Sequence, residues 1–334
     1  MALEKIGKQE GDALRLMMTN QGLPRIAVLD DFQNVALSMA DWSALDGSAT
    51  ITVFDDHLSA PDAVVARLQP FDVVCVMRER TPMTRDIISR LPKLRLIAST
   101  GPGNSSIDLQ AAAERGIEVA HTGYHSSPTV ELAWALILGG ARNLVVESAS
   151  VRSGGWQRSV GDDLAGRTLG VLGLGNIGTA VARIGNAFGM NVVAWSENLT
   201  AARAAEAGAS LVSKDQLFEQ ADILTIHLVL SRRTRGLVGS RELGLMRPTA
   251  RLVNTSRGPI VVEADLIVAL QNGKLAGAAL DVFDQEPLPP SHPFRTLPNV
   301  LATPHIGYVS RGLYKRFYQD TVVNIQRWLS RQAR

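Results

Sequence analysis

The chain has 334 residues, 46% of them hydrophobic, and 34 lysines and arginines against 32 aspartates and glutamates leave a net charge of +2. That length suits two domains, and scattered, nearly balanced charge gives no reason to expect nucleic acid or an acidic membrane surface as partner. The single cysteine, Cys75, excludes a disulfide within the chain.

The first ~20 residues mix Glu4, Lys5, Lys8, Glu10 and Asp12 with no long apolar stretch. They read as a loose tail and not as a secretory signal. No run approaches the ~18 apolar residues of a membrane span, so a cytoplasmic enzyme is expected. Short β-branched runs then alternate with helical patterns. Ile26–Leu29, Ile51–Phe54, Val73–Met77, Leu94–Ala98 and Ile117–Ala120 read as strands, and strand–helix alternation implies a parallel sheet covered on both faces. Cys75 lies inside the third of these runs and reads as a buried structural thiol. A long helix is expected from Thr129 to Ala141. Asn143–Thr168 has little periodicity, which in a compact protein points to a functional or interface segment. A second α/β unit begins at Leu169, with strands at Leu169–Leu172, Asn191–Trp195, Ile223–His227, Ala250–Asn254, Gly277–Val282 and Val300–Thr303. Ser310–Leu329 is again helical, with Leu313, Phe317, Val322, Ile325 and Leu329 near helical spacing.

Gly173-Leu174-Gly175-Asn176-Ile177-Gly178 spells GxGxxG between an apolar strand and a helix carrying Val181, Ile184 and Phe188. That context is the one a dinucleotide-binding turn requires. Gly173 permits the tight turn, Gly175 lets the backbone approach a pyrophosphate, and Gly178 lets helix pack on strand. The phosphates would rest on the free N–H groups of the helix start, Asn176 and Ile177 among them. The end of the next strand should carry an acid for the ribose hydroxyls. Ser196 stands there, with Glu197 beside it. Glu197 favours NAD, while a serine would not repel the 2′-phosphate of NADP, so NADP stays open.

Three more segments end predicted strands: Asn254-Thr255-Ser256-Arg257-Gly258, Asp281-Val282-Phe283-Asp284-Gln285-Glu286-Pro287, and Thr303-Pro304-His305-Ile306-Gly307. The carboxyl ends of strands face the ligand crevice of an open α/β sheet. These three segments resemble motifs of the D-isomer-specific 2-hydroxyacid dehydrogenases, and the reaction that resemblance implies, reduction of a 2-keto acid, requires a hydride at C2, a proton for the oxygen and a cation for the carboxylate. Arg257 suits the carboxylate. His305 suits the proton, since imidazole titrates near neutrality. Glu286, if close, would orient the ring and favour the imidazolium.

With these motifs in this order, the sequence resembles the D-isomer-specific 2-hydroxyacid dehydrogenase family from about Ile26 to the C-terminus. The resemblance implies two Rossmann-like or flavodoxin-like, doubly wound parallel-sheet domains with a cleft between them. The substrate domain would comprise 1–123 and 308–334, and the dinucleotide-binding domain 124–307. Hinge closure would accompany binding. The implied activity is hydride transfer between NAD(P) and C2 of a small 2-keto or 2-hydroxy acid such as glyoxylate or hydroxypyruvate. Arg257, Glu286 and His305 take the catalytic places. Asp281 takes that of a nicotinamide-amide partner, with His227, Thr255 and Thr129 lining the cofactor. Glu131 would serve only the dipole of the helix start. The family's substrate loops correspond to Met77–Thr81 and Thr100–Asn104. Arg78 would pair with a second polar group on the acid, and N–H groups at Gly101 and Gly103 would bind its carboxylate.

Asn143–Thr168 resembles the family's dimer arm, so a homodimer is expected. No metal is implied, and His57, His121, His125 and His292 lack metal-ligand spacing. Tyr308 departs from the usual family residue after P-H-I-G and could narrow the pocket. The chain ends soon after His305, which weakens the reading as a phosphoglycerate dehydrogenase of the longer type. Two alternatives remain. An NAD(H)-sensing corepressor-like protein would bind NADH without turnover. Formate oxidation would pair the histidine with glutamine, and Glu286 argues against it.

Overall fold

The structure is a computed structural model that describes residues 22–332, and the expected N-terminal tail lies outside the described residues. By its internal contacts the chain divides into two units, one running to Tyr124 and resuming at Arg311, the other spanning His125–Ser310.

The first unit holds a five-stranded sheet of β1 (Arg25–Val28), β2 (Thr50–Val53), β3 (Val73–Val76), β4 (Leu96–Ser99) and β5 (Glu118–His121). The order is β2-β1-β3-β4-β5, all parallel. The central strands β3 and β4 are buried along their whole length. This is why they read as unbroken apolar runs and not as alternating ones. Cys75 lies in this core, and burial pushes its thiol up to about 12. The C-terminal helix Arg311–Gln332 also belongs here. It buries Leu313, Phe317, Ile325 and Trp328, one stripe at helical spacing.

The second unit is a seven-stranded sheet of β6 (Thr168–Leu172), β7 (Asn191–Trp195), β8 (Ser210–Leu211), β9 (Ile223–Ile226), β10 (Arg251–Asn254), β11 (Gly277–Leu280) and β12 (Val300–Ala302). Its order, β12-β11-β10-β9-β6-β7-β8, reverses direction between β6 and β9. Each pairing is parallel. The doubly wound class expected from the sequence is therefore the one observed. Two differences from the expected elements stand out. The two-residue β8 is too short to carry a pattern. The segment after Asn143, expected to be irregular, contains the helix Leu144–Arg152. Its Leu144, Val145, Val146 and Val151 are exposed, so no single buried stripe announces it.

Among the described residues no single helix is long and apolar enough to cross a membrane. No group of three or more His, Cys, Asp or Glu side chains is placed to hold a metal among them either.

Candidate active site

Register organises the site. Trp195, Leu172, Ile226, Asn254, Leu280 and Ala302 form one row across six neighbouring strands of the second unit. The next residue of each strand is Ser196, Gly173, His227, Thr255, Asp281 and Thr303. Residues far apart in the chain thus share one edge, the carboxyl edge where open α/β sheets bind ligands.

At its β6 position, Gly173 has φ +103°, and a Cβ there would stand 2.8 Å from the His227 carbonyl. Only glycine permits that turn without strain. A Cβ on Gly178 would lie 2.0 Å from the Gly173 carbonyl oxygen, whereas one on Gly175 would meet nothing within 4 Å. Gly175 therefore leaves open space directly before the helix Asn176–Ala187, whose first N–H groups, with the helix dipole, suit a phosphate. Ser196 Oγ accepts from Leu174 N at 2.9 Å, tying the β7 end to the glycine turn. Glu197 is exposed beside it.

His227 and Thr255 end adjacent strands, and each has a buried polar atom without a protein partner: Nδ1 of His227 and Oγ1 of Thr255. Such atoms are costly unless a ligand or water meets them. His227 Nε2 bonds Thr225 Oγ1 at 2.9 Å. Although part of the residue reaches solvent, burial of the ring holds its pKa down at about 3, so it stays neutral. An open glycine cradle and two orphaned polar atoms along one edge fit a bound dinucleotide.

The three other segments are locked to one another. Arg257 follows a turn in which Asn254 Oδ1 accepts from Ser256 N and Asn254 Nδ2 donates to the Arg257 carbonyl, both at 3.0 Å. Ser256 Oγ ties the same turn to the Ile226 carbonyl at 2.8 Å. Arg257 Nη1 donates to the Ser256 carbonyl at 2.7 Å. Its neighbour Gly258 packs against the backbone of Phe283 and Asp284, which leads directly into Glu286. Glu286 Oε1 accepts from Phe283 N at 2.9 Å, and Oε2 meets His305 Nδ1 at 2.5 Å. The carboxylate places the proton on Nδ1 and points Nε2 elsewhere. Nε2 has no protein partner among the described residues. The Tyr308 ring stands edge-on to the imidazole, with centroids 5.5 Å apart at 80°.

His305 itself has φ +52°, a conformation that costs a side-chain-bearing residue roughly 1–2 kcal/mol. Asp281 holds it there. Oδ1 accepts from Thr303 Oγ1 (2.7 Å) and Ile306 N (2.8 Å), and Oδ2 accepts from Gly307 N (2.8 Å). Burial pushes the Asp281 carboxyl up, opposed by these hydrogen bonds and by His305. Among the described residues, these partners of Asp281 all belong to the His305 segment. Thr129, also expected at the cofactor, donates Oγ1 to the Gly307 carbonyl at 3.1 Å.

The expected substrate residues Arg78, Gly101 and Gly103 belong to the first unit. Arg78 has φ +52°. Its Nη1 donates to the carbonyls of Thr100 (3.1 Å) and Gly103 (3.3 Å), and its guanidinium lies over the Tyr124 ring. A Cβ on Gly101 would stand 1.8 Å from that Nη1, so Arg78 itself accounts for a glycine at 101. The Gly101 N–H, expected to meet a carboxylate, donates instead to Thr122 Oγ1 at 2.7 Å. Gly103 is exposed at the loop tip.

Sequence reasoning missed Gly258, Thr303 and the Asp281 clamp. The glycine after Arg257 was a visible signal of close packing. The clamp depends on tertiary geometry and left no local trace.

A carboxylate–imidazole pair on the same sheet edge as an open glycine turn fits the class of nicotinamide-dependent oxidoreductases. The family profile described as D-isomer specific 2-hydroxyacid dehydrogenase, NAD binding domain, matches residues 134–307. The chain is 43% identical over 250 residues to a glyoxylate reductase of Aeropyrum pernix, covering 72% of this chain and 75% of that one. It is 40% identical to a D-3-phosphoglycerate dehydrogenase of Methanocaldococcus jannaschii, over 74% of this chain but only 47% of that longer protein. The solved structure of a phosphoglycerate oxidoreductase from Vibrio cholerae superposes with a TM-score of 0.87 at 36% identity, covering 92% of this chain and 99% of that one. This chain belongs to the D-isomer-specific 2-hydroxyacid dehydrogenase family, as its motifs led one to expect, and is an NAD-dependent oxidoreductase of small 2-hydroxy acids.

Proposed function

We propose that the protein reduces a small 2-keto acid of the glyoxylate or hydroxypyruvate type, with Arg257, Glu286 and His305 as its catalytic residues. The observation that carries this is the Glu286–His305 pair with Nε2 left unpartnered. NADH, when bound, supplies the hydride that reaches C2. His305 Nε2 gives its proton to the carbonyl oxygen as negative charge develops there, and Glu286 stabilises the imidazolium that donates it. Arg257 binds the substrate carboxylate and draws electron density from the neighbouring carbonyl. Oxidation of the hydroxy acid runs the same steps backwards, with neutral His305 as base. Gly173, Gly175, Asn176, Ile177 and Gly178 hold the pyrophosphate, Ser196 and Glu197 the ribose, and His227 and Thr255 the inner part of the cofactor. Arg78 and the Gly103 N–H are assigned to the substrate's remaining polar groups.

The name carried by the Aeropyrum pernix relative supports glyoxylate as first substrate to try. We further propose a cytoplasmic homodimer formed through residues 143–168, supported by the exposed Leu144, Val145, Val146, Val151 and Trp156 on that segment.

The test is loss of NADH and NADPH absorbance against a panel of 2-keto acids, with His305→Ala and Arg257→Ala as controls. Turnover of a small keto acid that both substitutions abolish is expected. No turnover of any acid, or full activity in both variants, refutes the assignment. NADH binding without turnover in the unaltered protein would instead favour the sensor reading.

A further inference from the structure

A second carboxylate–imidazole pair stands behind the first. Glu263, the first residue of the helix Glu263–Gln271, places Oε1 2.9 Å from His292 Nε2 and accepts from Asp284 N through Oε2 at 3.2 Å. Both side chains are largely shielded, His292 at 13% and Glu263 at 21% exposure. The tautomer follows from the neighbours. His292 Nδ1 accepts from Phe294 N at 3.2 Å, so the ring proton sits on Nε2 and is donated to Glu263.

Asp284 and His292 are the two feet of one loop, and Glu286 lies between them. One carboxylate therefore fastens both feet. The loop's middle is held separately, since Arg295 donates to the carbonyls of Leu288 (2.6 Å) and Pro289 (2.9 Å). The Asp284 amide held by Glu263 adjoins the Phe283 amide that Glu286 grips. A shift of the Asp284 foot moves Glu286, and through it the His305 ring. We propose that Glu263, acting with His292, is a positioning residue for the Glu286–His305 pair. This rests on the functional reading above.

Glu263→Gln is the sharp test because it conserves shape. A carboxamide has a single acceptor oxygen, and two N–H groups face it. One foot must then meet an NH2 group and is repelled. His292→Ala frees the other foot, and His292→Gln keeps a donor for Glu263. With glyoxylate or hydroxypyruvate as substrate, Glu263→Gln should lower kcat about tenfold, since small misplacements of catalytic groups have effects of that order or larger. KM for NADH should stay within about twofold, because the cofactor cradle is untouched. His292→Gln should retain more activity than His292→Ala.

The deciding readout is a double-mutant cycle with Glu286→Gln. If Glu263 works through Glu286, Glu263→Gln lowers kcat in the wild-type background and has no further effect once Glu286 is replaced. If Glu286→Gln lowers kcat but Glu263→Gln has no effect, or lowers kcat by the same factor in both backgrounds, the positioning role is overturned and the functional reading stands. If Glu286→Gln leaves kcat unchanged, both fall. Thermal melts of each variant identify a misfolded protein, and His292→Ala carries the same cycle should Glu263→Gln not fold.

Discussion

Gly258 lies so close to Phe283 that a Cβ on it would stand 2.1 Å from the Phe283 carbonyl carbon. This approach joins the Arg257 turn to the strand end that carries Glu286. Gly258→Ala must push the two segments apart, at a cost of about 1–3 kcal/mol in stability. It should lower kcat/KM for the keto acid far more than it weakens NADH binding. Kinetics and cofactor titration on one preparation check this.

Asp281→Asn replaces one of two accepting oxygens with a donor facing backbone N–H groups. The left-handed His305 then loses part of its clamp. A stability loss of about 1–3 kcal/mol is expected, together with a fall in kcat. Unchanged turnover would show that the clamp is not needed to hold His305.

His227 gives a pH signature. Its folded pKa is depressed to about 3 by burial, against 6.5 in the unfolded chain. Below pH 6.5 the unfolded chain takes up a proton that the folded one refuses, so stability falls as pH drops from about 6.5 toward 3. The slope is at most about 1.4 kcal/mol per pH unit for this group. His227→Asn removes it. Urea unfolding at pH 7, 5.5 and 4 should show the wild type losing roughly 2–3 kcal/mol more than the variant across that range. Parallel losses would contradict the buried neutral state.

With Ser196 and Glu197 proposed to hold the ribose, cofactor choice would turn on the β7 end. Glu197 repels a 2′-phosphate, and an arginine would attract it. Glu197→Arg should raise the ratio of kcat/KM for NADPH over NADH by at least about tenfold, the worth of one charge-assisted hydrogen bond. An unaltered ratio would remove Glu197 from the ribose site.

Much of this was legible in the sequence because parallel strands, buried on both faces, appear as β-branched runs. The glycine turn and the motifs at Arg257, Glu286 and His305 follow such runs directly. What stayed hidden was made by distant partners. The Gly101 N–H looked available until Thr122, 21 residues away, was seen to accept it. The clamp on Asp281 stayed hidden because nothing local shows that residues 303, 306 and 307 surround it. Glu263 and His292 are 29 residues apart, and neither stands in a motif. The helix Leu144–Arg152 escaped because exposed valines blur the helical stripe that marks buried helices.

The central claim is that His305 Nε2 carries the proton to the substrate. It is tested most directly by measuring NADH affinity and keto-acid turnover together in His305→Asn. The account predicts a fall in kcat of roughly 100-fold or more with the dissociation constant for NADH essentially unchanged. Near-wild-type turnover in that variant would contradict it.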